Sequence, residues 1–231
     1  MLDVLYEDNH LLAVNKPAML PTMGVAEGRP SLLTIAKEFI REKYSKPGNV
    51  YLGIVSRLDA PVTGVVLLAR TSKAASRLSK QFRDRDVEKI YWSIVEGDVE
   101  PPAGRLNDYM RKDERHRRMH IASEQTPGAQ PAELCYQVIG GRQGALRMRG
   151  HHESTLLEVR PLTGRKHQIR LQLSHAGFPV WGDRKYGNSR PFPEGIALHS
   201  RRLVIEHPVS KMQLAIEAPL PKSWNRFVEN G

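Results

Sequence analysis

The sequence predicts an α+β fold, built around a largely antiparallel mixed sheet with helices on its flanks. Three observations carry this expectation. Apolar runs of strand length outnumber helical patterns, and many neighbouring runs are joined by turns too short for a helical crossover. Hydrophobic residues make up 40% of the 231 positions, enough to bury a core. Repeats, low-complexity segments and linkers are absent, so one domain spanning 1–231 is expected, with a basic loop or hairpin insertion at about 103–130.

Val4-Leu5-Tyr6 and Leu11-Leu12-Ala13-Val14 read as a hairpin turned by Asp8-Asn9. Pro17 cannot donate to a ladder and ends the second strand. The Gly-, Pro- and Thr-rich residues through Pro30 read as loop. Ser31 can cap a helix running to about Tyr44, in which Leu32, Ile35, Ala36, Phe39 and Ile40 recur at helical spacing. The unbroken apolar run Val65 to Ala69 predicts a strand buried on both faces. Thr71 or Ser72 then caps a second helix, with Ala75, Leu78 and Phe82 inward and Lys73, Arg77, Lys80, Arg83 and Arg85 outward. KIYWSIVEG alternates, placing Ile90, Trp92 and Ile94 on one side and Tyr91, Ser93 and Val95 on the other, and Gly97 ends it.

Between Pro101 and Pro131 the periodicity loosens. RLNDYMRKDERHRRMH carries Arg105, Arg111, Lys112, Arg115, Arg117 and Arg118, and fits either a solvated hairpin or a finger that touches RNA. Glu133 to Ile139, Leu156 to Arg160, Ile196 to Ile205 and Met212 to Ala218 read as further strands. LTGRKHQIRLQLSHAGFP turns at Gly164 into a short helix with Ile169 and Leu173 on one face, stopped by Gly177 and Pro179. Pro221 opens a last short helix containing Trp224 and Phe227.

Lys and Arg number 35 against 25 Asp and Glu, a net charge of +10, which favours a nucleic-acid partner over a purely solubilising surface. A single cysteine, Cys135, rules out an internal disulfide, suits a reducing compartment and reads as an inert buried thiol. The N-terminus lacks the features of a signal peptide, and no apolar run nears the ~20 residues that span a bilayer. A cytoplasmic protein that does not engage membranes is therefore expected.

Several chemistries lose support. There is no glycine-rich phosphate loop, no dinucleotide fingerprint and no nucleophile elbow around a serine. His116 and His120 have metal-ligand spacing but no HExxH-type glutamate, and the pair His151-His152 adds no third ligand pattern. What remains is an acid among arginines: in VSRLDAPVTGVVLLAR, Asp59 follows Arg57 by two residues at the mouth of a strand. A carboxylate near guanidinium stays ionised, a poor proton donor but a good anionic nucleophile or base. Composition and spacing alone fit a structural salt bridge there better than a catalytic group.

Five segments together resemble the RluA-type pseudouridine synthases, which isomerise uridine in RNA. SRLDAPVTGVVLLAR is similar to the signature HRLDxxTSGLLLLAK, VNKPAML to VNKPAGL and KIYWSIVEG to KxYxAxVxG. TGRKHQIRLQLSHAGFPVWGDRKYG is similar to TGRTHQIRxHLAHxGHPIxGDxxYG, and LHSRRLVIEHP to LHAxxLxFxHP. The order is the family's, and the matches cover nearly the whole chain. The resemblance implies the pseudouridine synthase fold, with a substrate cleft across a mainly antiparallel sheet, and a reaction needing neither cofactor nor metal. It implies a catalytic role for Asp59 at the ribose C1′, for Tyr91 against the target base, and for Arg170 as the partner of Asp59. Arg165 competes for that last role. Arg57 then holds the displaced base or a neighbouring nucleotide, and Arg165, Lys166 and His167 contact RNA or order their loop. Lys16 and Lys89 are candidate phosphate contacts, and Arg111, Arg115, Arg117 and Arg118 supply a basic surface for structured RNA, ribosomal or transfer.

Ser56, Val62, Thr63 and Gln172 depart from the family pattern at positions that shape loops or meet substrate. The chain starts at the first catalytic-domain hairpin, so the family's N-terminal S4 domain is expected to be missing and a monomer is expected. A non-catalytic RNA-binding or chaperone protein on the same scaffold is the alternative.

Overall fold

The computed structural model describes residues 2–26, 28–116, 118–140, 154–187 and 190–228. Two compact units emerge: Met1–Lys89 with Ser200–Leu220, and Ile90–His199 with Pro221–Gly231. Among the described residues there are eleven strands, three α-helices and a final 3-10 helix, Lys222–Arg226. Strands dominate and the paired registers are antiparallel, so the expected α+β class with mainly antiparallel strands stands.

The first unit begins with β1 (Val4–Glu7) and β2 (Leu11–Lys16), turned where Asp8 Oδ1 accepts the N–H groups of His10 and Leu11, both at 2.7 Å. β2 pairs with β4 (Thr63–Ala69), which also carries the two-residue strand β3 (Gly53–Ile54), a piece too short for sequence periodicity to show. On the far side of β4 runs β10 (Leu198–Glu206), to which β11 (Gln213–Glu217) adds.

Every residue of β4 is buried, although its pairing with β2 is antiparallel. The cause is a helix on each face. Leu11, Ala13, Val65, Leu67 and Ala69 join Ala74 and Leu78 of α2 (Ser72–Asp84) in one cluster. Leu12, Val14, Val66 and Leu68 join Leu32, Ala36 and Ile40 of α1 (Leu32–Lys43) in another. Each fully buried Val, Leu or Ile contributes roughly 1.5–3 kcal/mol to folding before entropy is counted. Ser31 caps α1 in a reciprocal box with Thr34, and Thr71, not Ser72, caps α2. Ile35, which the spacing put with the inward set, is exposed; burial in α1 follows the narrower four-residue repeat.

The second unit orders its strands β5-β9-β8-β6-β7. These are β5 (Glu88–Glu96), β6 (Ala103–Asp113), β7 (Arg118–Ala122), β8 (Gln130–Gly140) and β9 (Ser154–Pro161). The loosened stretch is therefore a long antiparallel hairpin, β6 with β7, in which Arg111 faces His120 and Lys112 faces Met119. An apolar two-residue repeat is missing because Met110 is the one buried residue of β6. Helix α3 (Gln168–His175) packs Leu171 against Met110, Met119, Ala132 and Tyr186.

Gly64 lies where the backbone of β10 comes very close to β4. Its φ is +109°, and an added Cβ would lie 2.3 Å from the carbonyl oxygen of Ser200. Gly64→Ala should cost more than about 2 kcal/mol, combining a forbidden φ with a backbone clash. Urea melts of the two proteins check this; equal midpoints would show that β10 can retreat without penalty.

Candidate active site

Asp59 sits in the loop between β3 and β4, and both of its neighbours are pinned. The Thr22 hydroxyl donates to the Leu58 carbonyl at 2.8 Å and accepts the Leu58 N–H at 3.2 Å. Lys16 Nζ donates to the Ala60 carbonyl at 3.0 Å, and to those of Pro17 at 2.8 Å and Leu20 at 2.9 Å. Val62 N–H closes the turn on the Asp59 carbonyl at 3.0 Å, and the Ser56 hydroxyl accepts the Leu67 N–H at 2.9 Å. The backbone of Asp59 is thus fixed from both sides while its side chain stays half-exposed. Arg57, two residues earlier, is exposed.

Lys16 corrects an expectation. It is not presented to phosphate: the side chain is 0% exposed, and its three ammonium protons are matched by three carbonyls. Burial pulls its pKa down to about 8, against which the negative charge of Asp59 pulls upward. Lys16 is a positioning residue of the Asp59 loop. The half-buried Lys89 is likewise held at about 8, by burial first and then by the Arg85 charge.

In the second unit, Tyr91 lies half-buried on β5 in register with Val159 of β9. Arg170 lies on α3, whose residues Gln168 to Leu173 are all buried. Its Nε and Nη2 donate to the two carboxylate oxygens of Asp183, at 2.6 and 2.8 Å, and its guanidinium stands 5.2 Å from the Tyr186 ring centre. Both partners are almost fully buried. Breaking such a pair from one side typically costs about 3–5 kcal/mol, so Asp183 holds Arg170 in one orientation.

Asp183 was not singled out by sequence reasoning. Its signal was the GDRKYG end of the long block, thirteen residues beyond its partner. Thr22 was missed as well; a clamp on Leu58 from 36 positions away leaves no local trace.

The turn before α3 is knitted by Gln168. Its Oε1 accepts the Thr163 hydroxyl at 2.7 Å and the Arg165 N–H at 2.9 Å, and its Nε2 donates to the Glu133 carbonyl at 2.9 Å. Arg165 gives its Nε to the Pro131 carbonyl at 3.0 Å, a loop-ordering contact. His167 caps α3 in the left-handed region, with Nδ1 2.7 Å from the Tyr186 hydroxyl, and Lys166 is exposed. Gln172 is fully buried and ties α3 to Asp108 and to the Ala132 carbonyl, at 2.8 and 3.1 Å; it shapes the interior and does not meet solvent.

At the tip of the β6–β7 hairpin, Arg111, Lys112, Arg115 and Arg118 are exposed, and Arg117 lies outside the described residues, as do His151 and His152. Asp113 accepts the His116 N–H at 3.0 Å and bonds both His116 Nδ1 and His120 Nε2, at 2.6 and 3.0 Å. Those contacts, the His116 amide first, hold its carboxyl far below the usual carboxylate range. Among the described residues no His, Cys, Asp and Glu group is arranged to hold a metal ion, and no helix is long and apolar enough to cross a membrane.

Known proteins similar to this chain show its family. The family described as RNA pseudouridylate synthase matches residues 10–175. The chain is 33% identical to tRNA pseudouridine synthase C of Salmonella typhimurium, over 97% of this chain and 87% of that one. It is 29% identical to the dual-specificity RNA pseudouridine synthase RluA of Pasteurella multocida, over 94% and 93% of the two chains. The solved structure of human RNA pseudouridylate synthase domain containing 4 superposes with a TM-score of 0.76 at 25% identity, covering 97% of this chain and 92% of that one. The chain belongs to the RNA pseudouridylate synthase family, in its RluA-type branch, and is an RNA-directed isomerase.

Lys16 gives a pH prediction. Its folded pKa lies near 8, below the ordinary 10.5, so between these values the unfolded chain binds more protons and stability rises with pH. Lys16→Met removes that slope and leaves three carbonyls without their donor. Denaturant melts from pH 7 to 10 should show the variant less stable throughout, with the gap widening above pH 8. A constant gap would mean that the ammonium titrates normally in the folded protein.

Proposed function

We propose that this isomerase converts one specific uridine of a structured transfer or ribosomal RNA to pseudouridine, with Asp59 as its anionic catalyst. The observation that carries this reading is the pinning of Leu58 and Ala60 on either side of a half-exposed Asp59. A group that acts on a ribose must be accessible and yet fixed to within a fraction of an ångström. The relatives named for transfer RNA and for dual specificity support the choice of RNA.

The target nucleotide leaves its stack at a cost of a few kcal/mol, least in loops and distorted helices. The Asp59 carboxylate either bonds C1′ or removes a sugar proton as the N1–C1′ bond breaks. The freed base turns and C5 bonds to C1′, as the Asp59–C1′ bond breaks on the first route or Asp59 returns the sugar proton on the second; the C5 proton is then lost and N1 gains a proton. Atoms and electrons balance within the substrate, so neither an oxidant nor a phosphoryl donor is required. Tyr91 rests against the base and takes the C5 proton at the end. Arg170, oriented by Asp183, is assigned a catalytic role as a fixed guanidinium. Arg57, Lys166, His167, Lys89 and the exposed arginines of the hairpin meet phosphate or flanking nucleotides. We place the enzyme in the cytoplasm as a monomer.

Tritium release from C5-labelled transfer and ribosomal RNA tests the reading. Wild type should release tritium from one of the two. Asp59→Asn should lose at least about a thousand-fold in rate while keeping its fold and most of its RNA affinity, with only a modest drop in melting temperature from losing the charge near Lys16. Wild-type turnover by that variant would remove Asp59 from the chemistry, and no release by wild type from either RNA would favour a non-catalytic binding protein. Tyr91→Phe keeps the ring and removes the hydroxyl; about a hundred-fold slower release is expected, and an unchanged rate would exclude a phenolic base.

A further inference from the structure

The turn from Pro17 to Met23 carries two methionines that the fold leaves outside. Met19 is 68% exposed and Met23 43%, whereas Met110 and Met119 are buried. Met19 also holds a φ of +61°, a conformation that costs most side-chain-bearing residues energy and that glycine adopts freely. The family segment that VNKPAML resembles has glycine at this position. A methionine there adds backbone strain and leaves most of its apolar surface exposed.

Neighbouring bonds say where this turn is. One ammonium, Lys16 Nζ, binds both the Leu20 and the Ala60 carbonyls, at 2.9 and 3.0 Å. Thr22 grips Leu58 by two hydrogen bonds. The turn is therefore fastened at two points to the strip that carries Asp59, and Met19 and Met23 flank those points.

We infer that Met19, with Met23 beside it, is an apolar platform for a nucleobase flanking the target uridine, and so a specificity-determining contact. This rests on the function proposed above. When a nucleotide is extruded, its stacking neighbour is left with an uncovered aromatic face. A thioether is polarizable, adapts its shape and packs well on aromatic rings. The charge of +10 and the exposed Arg57 make the occupant a base of a polyanion and not an apolar protein segment.

Three proteins test it: wild type, Met19→Gly and Met19→Leu. Each is assayed for kcat/KM of tritium release on the better RNA substrate, for melting temperature, and for the slope of RNA affinity against salt. Met19→Gly should melt at the wild-type temperature or above, since glycine relieves the positive φ, yet lose about ten-fold in kcat/KM. Met19→Leu should keep most of the activity, and the salt slope should not change, because no phosphate contact is removed. Wild-type kcat/KM in the glycine variant would show that the methionine touches nothing in the complex. An equal loss in the leucine variant, or an altered salt slope, would overturn an apolar base contact. These outcomes are separable from failure of the proposed function, in which wild type itself would release no tritium.

Discussion

The buried ammonium of Lys16 organises the loop that carries Asp59. Lys16 ends β2 and turns inward, where its three protons meet the carbonyls of Pro17, Leu20 and Ala60. A cation without water is tolerated only when its donors are all matched and a negative charge is near. The carbonyls supply the first condition and Asp59 the second. The same side chain thereby fixes two loops distant in sequence and sets the electrostatic surroundings of the acid between them. The ladder makes this possible: Lys16 is in register with Gly64 of β4, and Gly64 is where the Ser200 backbone comes too close for any Cβ. A slip of one residue would turn Lys16 out to solvent and break all three bonds.

The second unit solves a similar problem with different chemistry. Its turn before α3 rests on neutral amides, with Gln168 serving Thr163, Arg165 and Glu133 at once. The buried charge pair of Arg170 with Asp183 has two parallel hydrogen bonds and an aromatic ring against the guanidinium. Such a pair adds little net stability but defines orientation sharply, because every departure from its geometry leaves a buried charge short of a partner.

These arrangements fit an isomerase whose reaction moves no electrons to or from a carrier. The work falls on positioned charges and on RNA binding. The exposed arginines of the β6–β7 hairpin are interleaved with acids that are already engaged, Asp113 by two histidines and Glu114 by Lys112. The surface left to an incoming polyanion is correspondingly positive.

The sequence by itself determined most of the strands, the helices and the cap of α1, and it named the residues of the candidate site. Period-two and period-four patterns report which face is buried, and Asp59, Tyr91 and Arg170 lie in segments whose similarity to a known family reads directly from residue order. The apolar run of β4 was legible as doubly buried because no polar residue interrupts it. Tertiary structure alone decided what those residues touch. That Lys16 is internal, that Thr22 clamps Leu58 and that Asp183 orients Arg170 depend on contacts between residues far apart in the chain. A lysine looks the same in sequence whether its ammonium meets water or carbonyls. Only the closed ladder, which brings Lys16 opposite Gly64, settles which it is.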